Sequence, residues 1–135
     1  MDITIKRLWF KDENIFLLTD DGRTLWQSLL WYPRLKNATK EERDVYTVNK
    51  FGLRWASIDE DMSFESFAYD DPEPRGISRL FLTHPELNVS AIARRMGMKQ
   101  SLLAQYINGT KKPSSERENE IIESLRSLGQ ELIAL

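Results

Sequence analysis

The chain has 135 residues, enough for one domain or two small ones with modest cores, and it has no cysteine, which excludes disulfides and thiolate zinc sites. No apolar run approaches the roughly 18 residues of a membrane span, and the first residues lack a signal-peptide core, so the expectation is a soluble, cytoplasmic protein with no membrane association. The net charge of -2 hides an asymmetry: residues 1–75 carry eleven Lys or Arg against fifteen Asp or Glu, while 76–135 carry eight against six.

Residues 3–10, ITIKRLWF, are rich in β-branched and aromatic types and read as a strand, followed by a polar turn at 11–14. Residues 15–19 form a second strand. Asp20-Asp21-Gly22-Arg23 is a hairpin signal, because Asp-Gly supplies the positive φ that tight strand connections favour. Residues 24–32 return as a third strand ended by Pro33, which makes an antiparallel meander the economical arrangement. Thr39 and Glu42 fit a capping box, so a short helix runs to about Asp44. Residues 45–49 and 53–56 read as two more short strands, and 63–69 as a helical turn.

Twelve of the fourteen aromatic residues precede residue 75, among them Trp9, Trp26, Trp31 and Trp55. They can line a ligand pocket or a partner surface, but core packing is the stronger reading, since a small sheet domain has few other ways to bury apolar area. Asp70-Asp71-Pro72-Glu73-Pro74-Arg75-Gly76 breaks both helix and strand. The expected organisation is therefore an N-terminal sheet domain over 1–70, a linker over 71–76 and a helical domain over 77–135.

In the second half, 77–84 restarts a helical pattern that Pro85 stops. Residues 88–114, NVSAIARRMGMKQSLLAQYINGTKKPS, carry apolar or small residues at Ile92, Ala93, Met96, Met98, Leu103 and Tyr106, with Gly97 between two groups of helical period. That layout suits two short helices meeting at a sharp corner. Asn88 is a good N-cap, Leu87 and Ile92 stand at the positions of a hydrophobic staple, and Gly97 can take the positive φ of the corner. Ser115 to Glu118 is a further capping-box candidate. Ile121, Ile122, Leu125, Leu128, Leu132 and Ile133 mark one face of a long last helix, and the stripe exceeds what two short helices need, which leaves its far end for the first domain or for a second copy of the chain.

From Leu87 to Ser115 there is no acid, and Arg94, Arg95, Lys99, Lys111 and Lys112 give a local +5, a surface that attracts a polyanion. Catalytic chemistry has little to work with. There is one histidine, His84, at a helix end; no phosphate-binding glycine loop or nucleophile elbow occurs; and no pair of carboxylates stands out. The reading is not an enzyme, with no cofactor and no metal.

The residues at 88–114 resemble the DNA-binding domain of the lambda-repressor and Cro-like family: a helix over 89–96, the turn at Gly97, a helix over 100–107 and the loop Asn108 to Ser114. The resemblance implies a helix-turn-helix whose second helix lies in the major groove of double-stranded DNA. It implies base contacts from Gln100, Ser101 and Gln105, and phosphate contacts from Asn88, Lys99, Asn108, Lys111 and Lys112. Val89 departs from the glutamine that often clamps a phosphate there, and Lys99 from the usual Ser or Thr cap. The first half resembles a small bacterial family of uncharacterised function, through the Asp-Gly turn after Phe16, the tryptophan at 55, the acidic run 59–61 and Tyr69.

The fold class expected is α+β, a small antiparallel sheet domain with short helices followed by an all-α, lambda-repressor-like domain. The function expected is a sequence-specific DNA-binding transcriptional regulator, acting as a homodimer because one recognition helix reads a half-site, with an N-terminal half that senses a ligand or binds a protein partner. The alternative is a protein-interaction or antitoxin-like module in which DNA binding is secondary.

Overall fold

Alternating burial along the first strands shows why they pair: in NIFLLT the residues Ile15, Leu17 and Thr19 are buried, and those between them are half-buried. The computed structural model describes residues 3–135. It is α+β, with antiparallel sheets first and helices after, in two compact units that divide between Pro74 and Arg75.

In the first unit, β1 (Ile5–Lys11), β2 (Asn14–Thr19) and β3 (Thr24–Ser28) form an antiparallel sheet in sequence order. The β1–β2 connection is a two-residue turn in which Asp12 and Glu13 both take positive φ, 52° and 62°. At the second turn Gly22 takes φ 87°, and the Thr19 hydroxyl, the Asp21 carboxylate and Arg23 are tied together. Those bonds hold the Asp21 carboxyl below its ordinary range, the Thr19 hydroxyl contributing most and Arg23 next. The third strand stops at Ser28, short of the expected residue 32. The Ser28 hydroxyl accepts the Leu30 N–H at 3.1 Å and starts a 3-10 turn, Leu29–Trp31; Pro33 then opens a helix, α1 (Pro33–Lys36), rather than closing a strand.

The capping box at α2 (Lys40–Asp44) is present in both directions: Glu42 N–H donates to the Thr39 hydroxyl at 3.1 Å, and Thr39 N–H to the Glu42 carboxylate at 2.9 Å. A second antiparallel sheet follows, β4 (Thr47–Val48), β5 (Gly52–Trp55) and β6 (Glu60–Ser63), the last a strand absent from the sequence reading. Ile15, Leu17, Leu29, Leu35, Leu53, Trp55, Met62 and Phe64 form one core beneath both sheets.

A buried polar network spans that core. Gln27 donates its amide to the Ser66 hydroxyl at 2.7 Å, Ser66 donates to the Ser63 carbonyl at 2.6 Å, and the Tyr32 hydroxyl lies 3.1 Å from the Gln27 carbonyl oxygen. Burial pushes the Tyr32 phenol above its ordinary range. In the segment 71–76 expected as a linker, the Pro72 carbonyl accepts the Ser28 N–H at 2.7 Å and Pro74 is fully buried, while Arg75 stands at the N-cap position of the next helix without a side-chain capping bond.

The second unit contains α3 (Gly76–Thr83), α4 (Val89–Met96), α5 (Gln100–Asn108) and α6 (Ser115–Ile133). Helices α3 and α4 each pack against both α5 and α6. Ile77, Phe81, Ile92, Ala93, Met98, Leu103, Tyr106, Ile107 and Ile121 are its core. The cap of α6 lies one residue before the expected position: Ser114 accepts the Arg117 N–H, and since the third helical residue is Arg117 rather than a glutamate, the reciprocal half of a box is missing. At the far end of α6, Leu132 and Ile133 are exposed. Among the described residues no helix is long and apolar enough to cross a membrane.

Candidate nucleic-acid interface

The site is built on α4, α5 and the turn between them. Asn88 caps α4 by accepting the Ala91 N–H at 3.0 Å. At the other end Gly97 stands at φ 66°, its N–H bonds the Arg94 carbonyl, and the Met98 N–H reaches back to the Ala93 carbonyl at 2.9 Å. These two bonds are a Schellman closure, which needs a left-handed residue and so favours glycine. Met98 then folds into the core beside Ala93 and Leu103, both fully buried. A larger side chain at 93 would separate the helices, so α5 is set at a fixed angle to α4 by three local features: a cap, a glycine and a small residue.

Helix α5 follows at once from Lys99, whose extended backbone makes it the N-cap but whose side chain gives no capping bond. The first-turn amides of α5 are therefore free of any side-chain cap from Lys99, and the positive end of the helix adds to the Lys99 charge. Leu103, Tyr106 and Ile107 face the core. Ser101, Gln105 and Asn108 are exposed on the other side, one above the next at helical spacing, and Gln100 is exposed at the first residue of the helix. An α-helix with its side chains is about 10–12 Å across, which fits the roughly 12 Å width of a major groove.

The loop after α5 is held by Asn108. Its side-chain oxygen accepts both the N–H and the hydroxyl of Thr110, at 3.0 and 2.7 Å, and Gly109 takes φ 80°. The Lys111 N–H bonds the Gln105 carbonyl, which closes the helix and leaves Lys111 and Lys112 exposed just beyond it. Of the residues expected to contact bases, Ser101 and Gln105 share one face of α5 and Gln100 is exposed at its first residue, and Lys99, Asn108, Lys111 and Lys112 stand at its two ends. Asn88 is at the start of α4, with its oxygen committed to the cap and its amide available. Val89 is half-buried against the core and takes no polar part.

One cation of the local +5 is accounted for elsewhere. Arg95 donates to both oxygens of Glu131, at 2.6 and 3.2 Å, and to the Ser127 hydroxyl at 3.2 Å, so it faces α6. The bond to Arg95 holds the Glu131 carboxyl below its ordinary range. Arg94, by contrast, donates to the neutral Ser90 hydroxyl of its own helix, at 2.9 Å. His84 ends α3, its Nδ1 2.8 Å from the Leu80 carbonyl, and has a structural place there.

The first unit carries features of its own that the sequence reading did not isolate. The strand register lines up Trp9, Phe16 and Trp26 across the first sheet. A shallow groove of about 440 Å³ is lined by Pro33, Arg34, Asn37, Ala38, Glu42 and Ile58. Beside it Glu60 is half-buried, with its carboxyl raised by burial against the opposing pull of Arg34, 3.6 Å away. Alternation in RLWFK and NIFLLT was the signal for the aromatic row, but only the pairing shows that the three residues lie in register, with Trp9 and Phe16 stacked. Among the described residues no group of three or more His, Cys, Asp or Glu is placed to hold a metal ion.

The first unit is thus an α+β fold of two small antiparallel sheets over one core, and the second a bundle of helices. Residues 5–73, which span the first from β1 to its last turn, match the family described as a protein of unknown function (DUF2442), and the chain belongs to that family. No curated protein and no solved structure matches the chain.

Proposed function

We propose that the chain is a cytoplasmic, sequence-specific regulator of transcription, in which the second unit is a lambda-repressor-like helix-turn-helix domain that binds double-stranded DNA. The observation that carries this reading is the exposed part of α5: Ser101 and Gln105 on one face and Gln100 at the first residue of a helix held by the Gly97 turn, with Lys99 at one end and Lys111 and Lys112 at the other. A glutamine side chain can pair with adenine through two hydrogen bonds, and the cations at the helix ends suit phosphates. Two copies bound to a two-fold operator follow from the reach of a single helix, which covers a half-site. The first unit serves as the partner-binding half, with no catalytic role.

Fluorescence anisotropy with genomic fragments, including the region upstream of the chain's own gene, tests the proposal. Binding should be salt-sensitive and saturable, and Gln100→Ala should weaken binding to the preferred site by about 1 to 3 kcal/mol while relaxing discrimination at one base position. Equal binding to all fragments, or none, overturns it. The alternative, a protein-interaction module with secondary DNA binding, is favoured by the aromatic row of the first sheet, and a stable protein complex without fragment preference would support it.

A further inference from the structure

The register of the first sheet places Trp9 opposite Phe16 and Phe16 opposite Trp26, so an aromatic side chain from each strand lies on one face. The neighbours on the other face, Ile15 and Leu17, are fully buried in the core, so the aromatic row is on the outer side. Trp9 and Phe16 stack with centroids 5.4 Å apart and planes within 8°. The Arg7 guanidinium lies 4.8 Å from the Trp9 ring centre, and Trp26 remains 37% exposed. Arg7 and Lys11 point to this face, as the register requires, and the three strands contain no Asp or Glu. Tryptophan with arginine is the composition that dominates binding energy at protein interfaces.

We propose that this face docks a protein segment that presents carboxylates beside apolar side chains. The charge decides the occupant. Acids lie around the ends of the sheet, Asp12–Glu13 and Asp20–Asp21 in its turns and Asp71 and Glu73 beside Pro72, whose carbonyl holds Ser28 at the end of β3, while the charged residues that the strands themselves present on this face are Arg7 and Lys11. A second copy of the face would bring the same cations and no carboxylate. A single-stranded nucleic acid would need open ring faces, yet those of Trp9 are taken up by Phe16 and Arg7, which leaves Trp26 alone as a stacking surface. The inference rests on the assignment of the first unit as the partner-binding half and is independent of DNA binding by the second.

All four tryptophans precede residue 75, so their emission reports on the first unit even in the full chain. The full chain is titrated with a short peptide of alternating Glu and Leu, with its Lys and Leu counterpart, and with oligo-dT. The Glu–Leu peptide should shift the emission to shorter wavelength and bind at least about fivefold more tightly than the Lys–Leu peptide. Lys11→Glu, an exposed substitution that takes the charge of the strand face from +2 to zero, should remove the preference, and Trp26→Ala should remove most of the shift. If Trp26→Ala does not fold, Lys11→Glu carries the test by itself. Equal binding of the two peptides, an unchanged preference in Lys11→Glu, or tighter binding of oligo-dT overturns the proposed chemistry while leaving the first unit a binding module. No tryptophan response to any probe overturns both.

Discussion

On the proposed DNA-binding reading of the second unit, replacing Arg95 by alanine should leave the salt dependence of binding unchanged, although Arg95 lies within the basic stretch. Its guanidinium is held by both oxygens of Glu131 and by Ser127, so a phosphate would have to displace a carboxylate already in place. The other cations of the stretch, Arg94, Lys99, Lys111 and Lys112, set the upper limit on phosphates neutralised. Each phosphate neutralised adds about 0.9 to the slope of log K against log salt, so the limit is about -3.6 per chain, or a loss of about a hundredfold in affinity between roughly 50 and 200 mM salt. Lys99→Ala should make the slope shallower by about 0.9. Glu131→Gln, which weakens the hold on Arg95, should make it steeper by up to about the same amount. Anisotropy titrations of one labelled fragment over that salt range measure all three. If Arg95→Ala lowers the slope as far as Lys99→Ala does, Arg95 is on a phosphate and the assignment of its charge to Glu131 is wrong.

Three further substitutions separate the forces that hold the two units. Gly97→Ala meets no atom within 4 Å of the added carbon, so its penalty is the left-handed backbone alone, about 1 to 2 kcal/mol in urea unfolding, and Gly97→Asn should lose less. A loss above about 4 kcal/mol would mean that the turn tolerates no side chain for another reason. Gly52→Ala is a different case, because the new carbon would collide with the Met62 carbonyl oxygen and stand 2.8 Å from Ser63 Cα, both backbone atoms; the β5–β6 pairing should open, read as lost amide protection at Leu53 and Trp55. Tyr32→Phe removes the hydroxyl beside Gln27 and should destabilise by about 1 to 3 kcal/mol at neutral pH. Because burial raises the Tyr32 pKa in the folded state, its contribution is full below the ordinary value of 10.0 and is lost as pH rises through the higher folded value; Tyr32→Phe should show a smaller loss of stability above pH 10, and an identical pH profile would refute the reading.

The parts of the fold that local chemistry dictates were legible in the sequence, and those that depend on a distant partner were not. Thr39 with Glu42, Asn88 three residues before Ala91, and glycine at 22 and 97 each act within a few residues, so reading the chain in order finds them. The end of the third strand was misplaced because Trp31 and Tyr32 suit a strand by type, while the Ser28 hydroxyl turns the backbone into a 3-10 turn before them. The turn at Asp12 and Glu13 gave no warning of its tightness. Both residues take positive φ without a glycine, and that two-residue turn fixes the register that brings Trp9 onto Phe16.

The same distinction governs charge. Counting along 87–115 gives five cations and no acid, yet Glu131, thirty-six positions after Arg95, lies on a helix that packs against α4. Linear counting overstates the field wherever a later helix returns across an earlier one. The effect here falls on one side only: Arg95 faces α6, whereas Lys99 and Lys111 stand at the ends of α5 beside the exposed glutamines. The pairing therefore lowers the total charge without taking it from the face of α5. A polyanion approaching the second unit is drawn to the helix that carries Gln100 and Gln105, and the flank of α4 toward α6 offers it a neutralised pair.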